Sequence, residues 1–184
     1  MKFMFCGEKM FEKISMFGCL AYCICCFENY ILSLNYDKSE WKIVFDKLWS
    51  MDSMEHFDDW VYQAIELKPE CILEYSYYNS PSEWEYIDEA TFHNLYSLYR
   101  RCTKLNEIND FFNVILSGIE LYTSSSLTAH SFREHMDEVF IPSITTLSIE
   151  LPDIYLFYKF SDNKLNGWGV PVSRDMIEKP YEFA

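Results

Sequence analysis

Turn formers are scarce in this chain. Five glycines and six prolines stand in 184 residues, about half of average usage. So few turn residues imply long elements with few connections, which argues against a many-stranded barrel and for helices. Basic residues are scarce as well: 15 Lys and Arg face 29 Asp and Glu, a formal net charge of −14. Phosphate contacts need Lys and Arg, so this balance argues against direct nucleic-acid binding and favours a basic partner. Apolar residues are plentiful, at 49% hydrophobic and 18% aromatic, far more than a disordered chain holds. The length suits one domain with a real core. The expectation is a single all-α domain over residues 1–184.

Catalytic motifs are also missing. There is no phosphate loop of the Gly-x4-Gly-Lys-Ser/Thr type, no Gly-x-Ser-x-Gly elbow, no His-Glu-x-x-His and no EF-hand loop. A Glu-x-x-His pair, needed for a di-iron bundle, is absent. HEPN-type ribonucleases carry Arg-x4–6-His, but no histidine follows Arg100, Arg101, Arg133 or Arg174 at that distance. The expectation is a protein that is not an enzyme and holds no metal and no cofactor.

Seven cysteines form an odd set, with Cys19, Cys23, Cys25 and Cys26 crowded together and Cys6, Cys71 and Cys102 elsewhere. A disulfide framework would spread them over loops, so free thiols in a reducing cytoplasm are the simpler reading. Cys23 and Cys26 make a lone Cys-x-x-Cys; without a second pair it does not complete a zinc site, and its thiols read as small core hydrophobes. The uncharged stretch from Ile14 to Phe27 is 14 residues long, short of the roughly 20 that a membrane span needs. Lys2, Lys9 and Lys13 precede it as in a signal segment, but Glu8 and Glu12 dilute that charge. It is read as a buried core helix, without membrane attachment.

Periodicity places a first helix over 8–34, apolar nearly all round in its middle and suited to the centre of a bundle. A second fits 38–50, with Trp41, Val44, Phe45 and Leu48 on one face. A third fits 53–67 and is expected to stop at Pro69. Residues 71–78 are open between a strand and an irregular crossover. Ser82 and Glu85 resemble a capping box for a helix running to Cys102. Asn106 is the expected cap of a helix ending near Tyr122, before the polar loop 123–126. Ser131 and Glu134 form another possible capping box for a helix to Phe140, and Pro142 suits the start of a further turn. Residues 154–160 are open between a strand and a short buried helix. About six helices and an irregular tail over 160–184, with a turn at Gly167-Trp168-Gly169, complete the expected architecture.

His130 and His135 are five apart, near Glu134 and Glu138. On a helix the two rings lie about 140° apart, which does not chelate one metal well. An unfamiliar enzyme using His130, Glu134 and His135 is a third-rank reading.

The charge map is the most specific signal. Between Leu48 and Tyr99 there are eleven acids and one base, Lys68. The same segment holds Trp49, Trp60, Tyr62, Trp84, Tyr86 and further aromatics, among which Tyr75, Tyr77 and Tyr78 are the expected exposed ones. Repelling acids weaken a fold. Two readings remain: solubility, or a surface that docks a basic partner, with acids steering association and aromatics anchoring it. The docking reading assigns one patch to Asp52, Glu55, Asp58 and Asp59 and another to Glu83, Glu85, Asp88 and Glu89. A calcium site is a weaker third possibility.

A small, acidic, Trp- and Tyr-rich helical chain without catalytic residues resembles the immunity proteins of bacterial polymorphic-toxin and contact-dependent-inhibition systems. The turn Gly167-Trp168-Gly169-Val170-Pro171, after the polar stretch 161–166, is similar to C-terminal turns of some of them. The resemblance is at class level and transfers no functional residue. It implies a tight one-to-one complex with a cognate toxin, often a basic nuclease whose active site an acidic surface can occlude. The alternative is a helical regulator or adaptor that takes an amphipathic peptide in an apolar groove. The Gly-Trp-Gly turn is distantly similar to the Asn-Trp-Gly-Arg turn of Bcl-2-like proteins, but Val170 stands where their Arg does.

Overall fold

Fifteen of the eighteen residues of the central helix, α1 (Met16–Ser33), are buried; only Asn29, Leu32 and Ser33 reach the surface. By length and composition α1 is apolar enough to cross a membrane, with a mean hydropathy of 1.4. In the fold its apolar girdle is taken up by neighbouring helices. The computed structural model describes residues 9–53, 56–74, 84–117, 126–147, 149–161 and 165–177. Around α1 run α2 (Lys38–Leu48), α3 (Phe57–Glu66), α4 (Pro69–Glu74), α5 (Glu89–Tyr99), α6 (Leu105–Ser117), α7 (Ser126–His135) and α8 (Ile141–Thr145). Helices α2, α6 and α7 pack on α1 directly, and α3, α4 and α5 form the adjoining layer. The protein is all-α; among the described residues the only strand-like pairing is one isolated bridge between Ile14 and Ser161.

The core is organised by rings. Phe27 of α1 stacks on Phe111 of α6 at 5.0 Å and meets Phe45, Trp41 and Phe112 edge-on. Such pairs add about 0.5–1.5 kcal/mol each beyond the area they bury. Cys19, Cys23, Cys25 and Cys26 are fully buried in the same core. Burial pushes the Cys23 and Cys26 thiols well above their ordinary value, because a thiolate would lose its hydration there.

Several helix starts differ from the sequence expectation. Helix α1 begins at Met16 rather than residue 8. Ser15 caps it, its Oγ accepting the Gly18 N–H at 3.1 Å. The preceding turns are held from afar: Asp137 accepts the N–H of Met10 at 2.9 Å, and the Ser15 N–H donates to Phe160 O at 2.7 Å. Helix α3 begins at Phe57, not 53. Pro69 opens α4 as its first residue, where a missing N–H costs nothing, so 71–74 is helical rather than strand or crossover; 75–78 lie outside the described residues. Helix α5 starts at Glu89, capped by Asp88, whose carboxylate accepts the Thr91 N–H at 2.8 Å. The expected Ser82–Glu85 box does not form this start; Ser82 lies outside the described residues. Helix α6 starts at Leu105, one residue before Asn106.

Helix α7 starts at Ser126, so Ser131 sits in its interior rather than at a cap. It widens into a π-turn over Met136–Phe140 and runs on into α8, with Pro142 in the first turn. The proline ring would strike the carbonyl four residues earlier, at Glu138, and the wider turn makes room for it. Ile154–Leu156 is a single 3-10 turn, and Phe157 after it is fully buried.

The described part of the tail is irregular in backbone but firmly placed. Gly167 and Gly169 have φ of 91° and 77°, values that favour glycine. Trp168 packs edge-on against Phe17 at 6.1 Å and Phe57 at 5.6 Å, and its carbonyl accepts the Phe17 N–H at 3.1 Å. Gly169 lies so close to the Ser15 side chain that a Cβ there would collide with it. The Gly-Trp-Gly turn therefore seals the start of α1. Further along, Arg174 forms an ion pair with the fully buried Glu28 of α1, and the Trp49 Nε1–H donates to the same carboxylate at 3.0 Å.

Candidate partner-binding surface

The first turn of α3 carries Asp58 and Asp59 because carboxylates are favoured at a helix N-terminus. Asp58 is exposed, and Asp59 is half-buried. On the far side of the acidic segment, Glu85, Asp88 and Glu89 are all exposed. The fold brings these two groups together. The Tyr86 hydroxyl donates to Asp59 at 3.1 Å. Two turns along the same helix, Glu66 accepts the backbone N–H groups of Glu85 at 2.7 Å, Tyr86 at 2.9 Å and Ile87 at 3.0 Å. A single carboxylate thus stands in for the helical carbonyls that 85–87 lack, and it fastens this segment to α3.

One base lies beneath these acids and offsets part of their charge. Lys47 is half-buried under the segment, donating to Tyr86 O at 3.0 Å and Gln63 Oε1 at 3.3 Å. Burial lowers its pKa, and Glu66 and Asp88 offset part of that loss. The Thr91 hydrogen bonds hold the Asp88 carboxyl below its ordinary value. Desolvation, then the bond to Asp59, pushes the Tyr86 hydroxyl up to about 12. Both side chains keep their charge state, anionic for Asp88 and neutral for Tyr86, through the physiological range. Asp52 is exposed at the end of the 3-10 turn Trp49–Asp52, which packs on α3. Glu89 faces His93 at 3.7 Å across one helical turn. Glu55 and Glu83 lie outside the described residues.

The exposed aromatic on this face is Tyr62. Asp58, Tyr62 and Ile65 follow i, i+4, i+7 on α3 and share an arc of about 60°. Tyr62 is 57% and Ile65 38% exposed. The sequence reading placed exposure at Tyr75, Tyr77 and Tyr78, which lie outside the described residues, and missed Tyr62 and Ile65. The available signal was the helical phase: Trp60, Val61 and Ala64 form the buried face of α3, so the residues opposite had to face outward. Glu66 and Tyr86 were missed as well, since their bonds join positions 20 apart in sequence.

The histidine region has a different character. His130 is exposed and lies 3.5 Å from Glu134, which also takes Lys9 at 2.7 Å. The Lys9 hydrogen bond holds Glu134 below its ordinary value. His135 is half-buried, and burial lowers its pKa. Among the described residues, no group of three or more His, Cys, Asp or Glu is placed to hold a metal ion. Compared with known proteins, the chain matches no family model, no curated protein and no solved structure.

Proposed function

We propose that this is a non-catalytic binding protein of the immunity type, which neutralises a basic toxin partner in the cytoplasm, a nuclease in the simplest case, by covering its active site. The observation behind the reading is the outer face of α3 and its neighbour segment. Exposed Tyr62 and Ile65 share a face of α3 with Asp58, and Asp59 and Glu66 of the same helix hold the segment that carries Glu85 and Asp88. Neighbouring exposed apolar side chains beside acids are the composition that a docking surface uses. A docking surface uses both, the apolar groups as anchors and the acids for steering and specificity.

The test is a salt-graded pull-down of the tagged protein from source lysate, followed by an activity assay on what is retained. The expected result is one basic protein, held one-to-one at low salt, whose toxicity or nuclease activity the wild type abolishes. The combined variant Asp58→Asn/Asp59→Asn/Glu85→Gln should reduce that inhibition, and Tyr62→Ala should shorten the lifetime of the complex. Inhibition that survives both sets of changes sinks the proposal. A second reading, an adaptor with an apolar groove, is favoured by a cleft between α6 and α8.

A further inference from the structure

On the face formed by α6 and α8 there is an open cavity of about 190 Å³. Its floor is Phe111, Phe140 and Ile144, all buried, and Val114 and Leu147 form half-buried walls. The floor is fixed before any ligand arrives, because Phe111 stacks on Phe27 at 5.0 Å and meets Phe140 edge-on at 6.0 Å. An apolar cavity of roughly 150 Å³ takes a benzene ring, so this one suits a single bulky side chain.

The rim decides the chemistry of the occupant. Its side chains are Glu107, Asp110, Ser143 and Thr146. The Ser143 hydroxyl donates to Phe140 O at 2.8 Å, and the Thr146 hydroxyl donates to Ser143 O at 2.6 Å. With those protons spent on the backbone, both oxygens offer only lone pairs outward. Its own backbone N–H, and then the hydrogen bond from Lys104, hold Glu107 below its ordinary carboxyl value, so it is anionic at neutral pH. Asp110 is exposed and has no ion pair with a described Lys or Arg. Every polar side chain on this rim is therefore an acceptor, and two are carboxylates.

We infer that this cleft receives one aromatic or large aliphatic side chain of a basic protein segment, with a Lys or Arg one helical turn away pairing with Asp110 and Glu107. The site is separate from the acidic face of α3 and does not rest on the proposal made for it. The second reading above gains from it a specific groove and a specific occupant.

The test follows methyl and amide NMR shifts of the full-length protein at low salt, with three probes. These are 2-phenylethylamine, its uncharged counterpart 2-phenylethanol, and an acetylated helix-forming decapeptide with one Phe and a Lys on each side of it, one turn away. Saturable shifts of Val114, Ile144 and Leu147 are expected with the amine and the peptide. The alcohol should bind about fivefold more weakly, and Glu107→Gln/Asp110→Asn should reduce amine affinity by about the same factor, the size expected for two exposed charge pairs. Asp58→Asn/Asp59→Asn should leave all three affinities unchanged. Equal binding of amine and alcohol overturns the inference, as does the absence of saturable shifts at these residues. Binding of the amine without the peptide overturns the assignment to a protein segment and leaves a small-amine pocket. An equal loss in Asp58→Asn/Asp59→Asn overturns the local pairing in favour of the net field of the molecule.

Discussion

Arg174 reaches back 146 residues to pair with Glu28, a carboxylate buried in the middle of α1. Trp49 bonds the same Oε1, its ring lies 5.9 Å from the guanidinium, and Glu28 Oε2 has no hydrogen-bond partner among the described residues. Removing one member of a buried pair leaves an uncompensated charge, which costs more than the pair contributes. Arg174→Met should therefore lower unfolding stability by about 3 kcal/mol. Adding Glu28→Gln, which keeps an acceptor for Trp49, should recover part of that loss. Urea unfolding of the single and double variants checks the sign.

Glu66 carries three N–H groups on two oxygens. Glu66→Gln turns one acceptor into a donor facing a donor, at a cost of about 1–2 kcal/mol. Amide hydrogen exchange at Tyr86 and Ile87 should quicken in this variant, while exchange in α1 stays slow. If exchange at 85–87 does not change, Glu66 is not what fastens the segment.

His135 gives a pH prediction with a definite sign. Burial holds its folded pKa below the ordinary 6.5, and its Nε2 has no hydrogen-bond partner among the described residues. Below pH 6.5 the unfolded chain takes up a proton that the folded chain resists, so this group removes stability as pH falls from 6.5 toward its folded value. His135→Gln should flatten that part of the stability profile and leave the profile above pH 7 unchanged. Chemical unfolding of both proteins between pH 5 and 8 is the measurement.

Gly169 has no room for a side chain, since its backbone lies against Ser15 at a positive φ. Gly169→Ala should cost about 2–4 kcal/mol, part from strain and part from the collision. The neighbouring Val170 is 47% exposed, and Val170→Ala should stay within about 0.5 kcal/mol of wild type. Thermal unfolding of the two variants separates a structural turn from a disposable tail.

Much of the architecture was legible in the chain itself. The apolar run through Leu20–Phe27 required a helix wrapped on all sides, and the phase of Trp41, Val44, Phe45 and Leu48 marked an inward face of a second helix. These features are local, because helical periodicity is a property of residues three and four apart. The concentration of acids between Leu48 and Tyr99 was legible too, as was the scarcity of bases to neutralise them.

What the tertiary structure alone decided has one physical cause: backbone and buried polar groups take whatever partner the fold brings within reach. Asp137 and Phe160 hold the turns before Met16, and Glu66 takes the amides of 85–87, so α5 starts at Glu89. The same contact joins Asp59 to Tyr86 and makes one surface of two acidic patches. A spacing pattern carries no information about partners 20, 127 or 145 residues away. The composition thus determined an acidic, all-helical molecule built on one apolar helix. Only packing determined which acids meet, which tyrosine faces water, and where a cleft opens between α6 and α8.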